Sequence, residues 1–151
     1  MNAVPEPKLA QLYQEVILDH NRNPRNFKEI TNPSAYSHGY NPLCGDDYHL
    51  YVNISVDGTI EDIGFNGSGC AISKASASMM TTMIKGKTLE QAEALEKDVL
   101  QLLTKEDVPQ SLKENTGRMV IFEGVKQFPV RVKCATLIWH ALADALKDMK
   151  K

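Results

Sequence analysis

The stretch YHLYVNISVDGTIEDIGFN, which spans residues 48–66, determines the predicted fold of this chain. From Tyr48 to Val56, apolar side chains alternate with more polar ones, which is the period of a half-buried β-strand. Asp57-Gly58 is a strong signal for a hairpin turn, and residues 60–66 return as the partner strand. We therefore predict an antiparallel hairpin with one face to cover, and we expect residues 34–40 to add a third strand.

Helical patterns flank the hairpin and are predicted to cover its apolar face. The helical segments are expected at about residues 6–20, 71–85, 88–105, 108–123 and from 129 onward, the fourth being a short helix followed by a loop. Ser68 is available as the N-cap of the second helix, and Thr88 forms a capping box with Gln91 at the third. Pro129 opens the last helix, which carries a one-sided apolar stripe. The prediction is an α+β fold, a small three-stranded antiparallel sheet packed on one face by about five helices.

Length and composition limit the classes of function. A chain of 151 residues is long enough for one domain with a real core, and we expect a single domain over residues 1–151. The formal net charge is −2 and no block of Lys or Arg is present, so there is no electrostatic case for nucleic-acid or membrane binding. No apolar run approaches the roughly 20 residues that span a bilayer. With an odd cysteine count, we expect a cytoplasmic protein with reduced thiols.

The three cysteines, Cys44, Cys70 and Cys134, lie far apart in the sequence, so only folding would bring them to one site. Each is predicted at a turn or near a helix start, and Asp46 follows Cys44 by two residues. Three thiolates and one carboxylate are the ligand types of a tetrahedral zinc site. The alternatives are that each cysteine is a buried structural residue and that Asp46 caps its own turn. The shared placement at turns and helix starts favours one common site.

Charged neighbours and histidines complete the chemistry that the residues suggest. Arg131 and Lys133 lie beside Cys134, and we expect them to lower the pKa of its thiol. The four histidines, none of which is adjacent to a cysteine, are interpreted as surface or internally satisfied residues: His20, His38, His49 and His140.

Four motifs follow one another along the chain. They are DHNRNPRN at 19–26, NPLCGD at 41–46, GSGCAIS with ASAS at 67–73 and 75–78, and FPVRVKCATL at 128–137. In this order, and with all three cysteines included, they resemble the U-type iron–sulfur cluster assembly family over nearly the whole chain. The resemblance implies a SufE/NifU-like α+β fold.

Two branches of that family differ at the residue before the third cysteine. The scaffold branch (IscU) has a histidine there, whereas this chain has Lys133, whose charged amine offers no free lone pair. The segment 87–127 is also longer here, and residues 128–132 replace the proline-rich chaperone-recognition sequence of that branch. These differences resemble the SufU branch. By that resemblance, the implied zinc ligands are Cys44, Asp46, Cys70 and Cys134.

The resemblance further implies a role in sulfur relay. A pyridoxal-phosphate cysteine desulfurase would hold sulfur as a persulfide, and Cys44 would accept it, with zinc protecting the thiol. Such a protein stimulates its desulfurase and supplies downstream iron–sulfur assembly proteins, and it is not a stand-alone enzyme. Arg131 is the hypothesised partner of the Asp46 carboxylate, because a ligating carboxylate needs its remaining lone pairs satisfied.

Two other functions remain open at this point. Thiolates also bind iron–sulfur clusters, so the same Cys and Asp residues would suit a scaffold that assembles a [2Fe–2S] cluster or binds iron. The chain would alternatively be a structural zinc domain that binds a partner without chemistry.

Overall fold

The structure, a computed structural model, describes residues 7–149. In chain order its elements are α1 (Pro7–Arg22), β1 (Ala35–Asn41), β2 (Asp46–Ile54), β3 (Ile60–Ser68), α2 (Ala71–Ile84), α3 (Leu89–Thr104), α4 (Gln110–Asn115), a 3₁₀ segment (Gly117–Gln127) and α5 (Pro129–Met149). The predicted α+β class is confirmed, with three antiparallel strands and, over the described range, five α-helices and one 3₁₀ segment.

The three strands form a meander in the order β1-β2-β3, and both pairings are antiparallel. The predicted hairpin is confirmed, since Ser55 and Thr59 close the turn with a backbone hydrogen bond of 2.8 Å. Gly58 occupies that turn at φ 87°, a conformation that favours glycine. The third strand, expected at 34–40, is β1.

The helices cover only one face of the sheet. Alternate residues of β1 are buried and exposed, as expected for a strand with one face against a core. α5 lies against β1 at close range, because a Cβ added to Gly39 would stand 3.2 Å from Leu137 Cγ. Behind the sheet, the indole Nε1–H of Trp139 donates to Ser76 Oγ (3.2 Å), which itself donates to the carbonyl of Ala135 (2.6 Å). α5 and α2 are thereby joined by buried polar contacts as well as by apolar packing.

The start of α2 differs from the sequence prediction. Ser68 is not its N-cap, because Ser68 still belongs to β3 and pairs with Asp47 of β2. Cys70 takes the cap position instead, and its sulfur accepts the N–H of Ser73 at 3.4 Å. The capping box of α3, by contrast, is confirmed in both directions between Thr88 and Gln91.

The segment between α3 and α5 is more regular than the predicted short helix and loop. α4 is followed by Gly117 at φ 52°, a left-handed conformation that ends the α-helix. The 3₁₀ helix comprises eleven residues, from Gly117 itself to Gln127. Its buried residues, Met119, Phe122 and Val125, recur every third position, which is the period of a 3₁₀ helix and explains why this form buries them on one side.

The end of α1 and the loop after it are fastened to α2 by polar contacts. His20 Nδ1 lies 2.7 Å from Ser78 Oγ, and the backbone N–H of Arg25 donates to the same hydroxyl at 2.8 Å. Asn26 then donates to Thr81 Oγ1 at 3.0 Å. These bonds fix the position of α2, whose N-cap is Cys70. No helix between residues 7 and 149 combines the length and the apolar character that crossing a membrane requires.

Candidate metal centre

Cys44 lies in the turn that joins β1 to β2. Asn41 and Asp46 form the last cross-strand pair before this turn, and Gly45 N–H donates to the Asn41 carbonyl at 2.8 Å. Gly45 has φ 71°, so the turn depends on a residue that tolerates the left-handed region. The Asn41 side chain donates to Cys44 Sγ at 3.0 Å and accepts from Leu43 N–H at 3.1 Å. The sulfur is therefore held at a partly exposed position on an ordered turn.

Asp46 is the first residue of β2, and its side chain is fully buried. Its Oδ1 accepts the backbone N–H of Cys70 at 2.9 Å, and its Oδ2 lies 3.4 Å from Cys44 Sγ. The carboxylate therefore bonds across to the start of α2 and does not cap its own turn.

Cys134 reaches the same place from α5. Its sulfur lies 3.0 Å from that of Cys44, and the residue is 3 % exposed. Because α5 begins at Pro129, Cys134 lies in the second turn of the helix and not in the first. The ligand atoms of Cys44, Asp46 and Cys134 all lie within 4.8 Å of one another.

Cys70 lies next to this group of three residues, beside the buried Asp46 carboxylate. Its backbone is bonded to Asp46, while its sulfur, which is partly exposed, points along the first turn of α2 and also lies 3.6 Å from Ser73 Oγ. It is not part of the three-residue set within 4.8 Å. Gly69 allows this approach, because a Cβ there would stand 2.5 Å from Asp46 Oδ1.

The buried hydroxyl groups of Tyr48 and Ser73 lie next to the site and hydrogen-bond to each other. Tyr48 lies two residues after Asp46 and therefore on the same face of β2. Its hydroxyl lies 3.0 Å from Ser73 Oγ, which also donates to the Cys70 carbonyl. Burial raises the pKa of Tyr48 to about 12, so it remains a neutral phenol beside the thiols. Sequence reasoning missed Tyr48 and Ser73 as site residues, although the strand period had placed Tyr48 among the buried positions.

The electrostatics of the thiols differ from the sequence expectation. Burial raises the pKa of Cys134 strongly, and it also raises the pKa of Cys44. Arg131 and Lys133 are exposed and do not lower the pKa of Cys134, so that prediction is wrong. Arg131 is also not the partner of Asp46. Its guanidinium lies over the Phe128 ring, 4.5 Å from the centroid, on the outer side of α5.

The donor set fits a divalent ion. Asp46 is a buried carboxylate, and within residues 7–149 no Lys, Arg or His forms an ion pair with it. A buried charge needs an oppositely charged partner or a metal ion. The sulfurs of Cys44 and Cys134 both lie within 4.8 Å of the Asp46 carboxylate, so one ion could bind all three groups. Thiolate and carboxylate donors together suit zinc, and thiolates also suit iron–sulfur clusters.

The histidines fall into two groups. His20 is buried and satisfied by Ser78, and His140 is exposed on α5, as expected. His38 and His49, however, converge with Asp47 on the outer face of the sheet. Sequence reasoning missed this second cluster. The available signal was the alternation of each strand, which places both histidines on the outer face of the sheet. That they are neighbours follows only from the register of the two strands.

Comparisons with known proteins agree with the observed fold. The zinc-dependent sulfurtransferase SufU of Bacillus subtilis (strain 168) is 43% identical over 134 residues, which cover 89% of this chain and 88% of that protein. The iron–sulfur cluster assembly scaffold protein IscU of Streptococcus pyogenes serotype M1 is 39% identical over 140 residues, covering 93% and 86%.

Among solved structures, a proposed iron–sulfur cluster assembly scaffold protein for the SUF system from Fervidobacterium islandicum AW-1 superposes with a TM-score of 0.81 at 33% identity. That match covers 90% of this chain and 97% of the other. The NifU-like N-terminal domain matches residues 12–135, which is most of the chain. The fold and these matches together show that the chain belongs to the NifU-like N-terminal domain family.

Proposed function

We propose that this protein is a zinc-dependent sulfur acceptor in iron–sulfur cluster biogenesis. The observation that carries the proposal is the convergence of Cys44, Asp46 and Cys134, from a turn, a strand and a helix, within 4.8 Å. The name of the Bacillus subtilis relative, a zinc-dependent sulfurtransferase, supports the same function. We further propose that residues 1–151 form one domain and that the protein acts in the cytoplasm.

Zinc would be held by Cys44, Asp46, Cys70 and Cys134. When bound, the ion stabilises the thiolate form of the cysteines, which burial alone disfavours at Cys44 and Cys134. The surrounding residues contribute order. Asn41 orients the Cys44 sulfur through its amide, and the Cys70 N–H holds one oxygen of Asp46.

Cys44 is the proposed acceptor because it is the more accessible of the two sulfurs that touch. It lies on a turn whose neighbours Leu43 and Gly45 are exposed, whereas Cys134 is buried. In the transfer step, the Cys44 thiolate attacks the terminal sulfur of a persulfide on the partner enzyme. The persulfide S–S bond breaks and a new one forms at Cys44, while the partner cysteine leaves as a thiolate. The step is balanced and needs no other oxidant or reductant.

The proposed partner is a pyridoxal-phosphate cysteine desulfurase, which supplies the persulfide. This protein would be its acceptor and stimulate its turnover, without being a stand-alone enzyme. Downstream iron–sulfur assembly proteins would then receive the sulfur.

A second candidate function is a scaffold that assembles a [2Fe–2S] cluster on the same residues. It is favoured by the names of the Streptococcus pyogenes and Fervidobacterium islandicum relatives. Thiolates on three separate elements would suit cluster ligation as well. Metal analysis of the purified protein distinguishes the two, because one zinc per chain supports the relay, whereas iron with equimolar sulfide supports the scaffold.

The decisive experiment measures desulfurase turnover with wild-type protein and with Cys44→Ala. We expect the wild type to stimulate turnover and Cys44→Ala to lose the stimulation while staying folded. Val56→Ala, at a fully exposed position of the hairpin turn, is the control and should behave as wild type. Stimulation that survives in Cys44→Ala would overturn the acceptor role. A folded, zinc-retaining Cys44→Ala protein without stimulation would exclude a purely structural zinc domain.

A further inference from the structure

We propose that His38, Asp47 and His49 form a second binding site for a divalent transition metal, on the face of the sheet opposite the cysteines. His38 of β1 and His49 of β2 are directly paired across the antiparallel ladder. Asp47 lies two residues before His49, and therefore on the same face of β2. The register of β1 and β2 thus brings three potential ligands together that the sequence separates.

The distances suit coordination after small movements. His38 Nε2 lies 2.6 Å from Asp47 Oδ1, and His49 Nε2 lies 3.9 Å from the same oxygen. All three ligand atoms lie within 4.8 Å of one another. Bonds of about 2.0–2.1 Å in a tetrahedral site place ligand atoms about 3.3 Å apart. The contact of His38 with Asp47 has to open and that of His49 with Asp47 has to close, each by less than 1 Å. The imidazole rings of His38 and His49 are stacked with their centroids 4.6 Å apart, so they also have to rotate before both direct a nitrogen at one ion.

The second nitrogen of His49 already has the partner that a metal-bound imidazole normally requires. The Tyr36 hydroxyl lies 2.5 Å from His49 Nδ1. With Nδ1–H donating to this oxygen, the Nε2 lone pair is left free on the side of Asp47. The ring of Tyr36 also stacks on His49 with the centroids 5.8 Å apart, which restricts the imidazole further.

This site is independent of the cysteine group. Asp46 and Asp47 are neighbours in β2 but face opposite sides of the sheet, one buried at the thiols and the other half exposed. The outer site contains no thiol, so it does not compete for soft ligands. Its side chains are 38–46% exposed, so the ion would keep water at its open position and exchange freely.

The bland alternative is that the cluster is only a surface ion pair between His38 and Asp47. To test this, full-length protein loaded with one equivalent of zinc is titrated with further zinc in a calorimeter. We expect a second, weaker equivalent in the wild type. In His38→Gln and in His49→Gln, that second affinity should fall at least about tenfold, the lower limit seen when even an outer partner of a ligand is removed.

His140→Gln is the matched control, since His140 is an exposed histidine on α5 outside the cluster. It should retain both equivalents. Nuclear magnetic resonance of the wild type provides a check that needs no variant, because the imidazole signals of His38 and His49 should shift with the second equivalent while those of His140 stay unchanged. A wild type that binds a single zinc, or a second equivalent that persists in the His38→Gln/His49→Gln double variant, would overturn the proposal.

Discussion

The buried carboxylate of Asp46 accepts a 2.9 Å hydrogen bond from the backbone N–H of Cys70, so the first residue of β2 is fastened directly to the cap of α2. An N–H at a helix start is one of the donors that the helix itself leaves unpaired. The carboxylate satisfies that donor and is oriented by it. One hydrogen bond thereby sets the distance between a strand and a helix that each contribute a candidate ligand.

Gly69 leaves no room for a side chain at this junction. In Gly69→Ala the new methyl carbon would stand 2.5 Å from Asp46 Oδ1, 2.6 Å from Ser73 Oγ and 2.7 Å from the Tyr48 hydroxyl. We expect a loss of roughly 1–3 kcal/mol in the free energy of unfolding, as for other overpacked sites, and a lower zinc content. Urea unfolding and metal analysis measure the two effects.

Gly124→Ala is the control for that substitution, because nothing lies within 4 Å of a Cβ at Gly124. Its stability should stay within about 0.5 kcal/mol of the wild type. Equal effects of the two substitutions would contradict the crowding at Gly69.

Asp46→Asn tests the charge at the centre without changing its shape. Zinc that binds only the folded state stabilises it by about 2.7 kcal/mol at a hundredfold excess over the dissociation constant. We expect removal of zinc by a chelator to lower the melting temperature of the wild type. In Asp46→Asn that decrease should be much smaller, because the neutral amide weakens zinc binding at least about tenfold. An unchanged difference between zinc-loaded and chelated protein would show that Asp46 is not a ligand.

Ser76→Ala removes the hydroxyl that joins α2 to α5. The substitution leaves the Trp139 indole N–H and the Ala135 carbonyl without their buried partner. We expect the free energy of unfolding to fall by about 1–3 kcal/mol, which is the usual cost of an unsatisfied buried polar group. Trp139 is the only tryptophan in the chain, so its fluorescence follows the unfolding directly.

Thr104→Ala provides the comparison, because its hydroxyl also bonds a helix carbonyl but is exposed. The free energy of unfolding of Thr104→Ala should lie within about 0.5 kcal/mol of the wild-type value. A Ser76→Ala protein as stable as Thr104→Ala would mean that the buried bonds contribute nothing.

His20 makes stability depend on pH. Burial, together with the positive charges of Arg25 and Arg118, lowers the pKa of His20 below its ordinary value of 6.5. Between the lowered pKa and 6.5, the unfolded chain binds more protons than the folded chain. The free energy of unfolding should therefore fall as the pH decreases through about 6.5.

His20→Gln should flatten that part of the profile, measured by urea unfolding at a series of pH values. His140→Gln, which changes an exposed histidine, should keep the wild-type slope. If the free energy of unfolding depended on pH equally in the two variants, His20 would not be the source of that dependence.

Local sequence signals predicted the sheet and most of the helices. Three of these signals are the alternation in β2, the Asp57-Gly58 turn and the Thr88–Gln91 capping box. Each depends only on residues a few positions apart, so it can be recognised without knowledge of the tertiary fold. The cap of α2 was mispredicted for a tertiary reason. Pairing with Asp47 extends β3 through Ser68, and a residue held in a ladder is not free to cap a helix.

The candidate site was predicted in its residues but not in its electrostatics. Arg131 lies three residues before Cys134 in the sequence, yet its side chain is exposed and its guanidinium lies over the Phe128 ring. The supporting residues Tyr48 of β2 and Ser73 of α2 are 25 positions apart in the sequence, and only the folded chain brings their hydroxyl groups together. Such contacts depend on register and on helix position, which short-range patterns do not contain.

The sulfur that caps α2 belongs to a residue that we propose as a zinc ligand. Whatever occupies or modifies Cys70 changes the strength of its bond to the Ser73 amide, and hence how readily the first turn frays. The chemical state of one cysteine is therefore transmitted to the backbone of a long helix. Protection of the Ser73 amide against deuterium exchange would record that state in solution, without a partner protein.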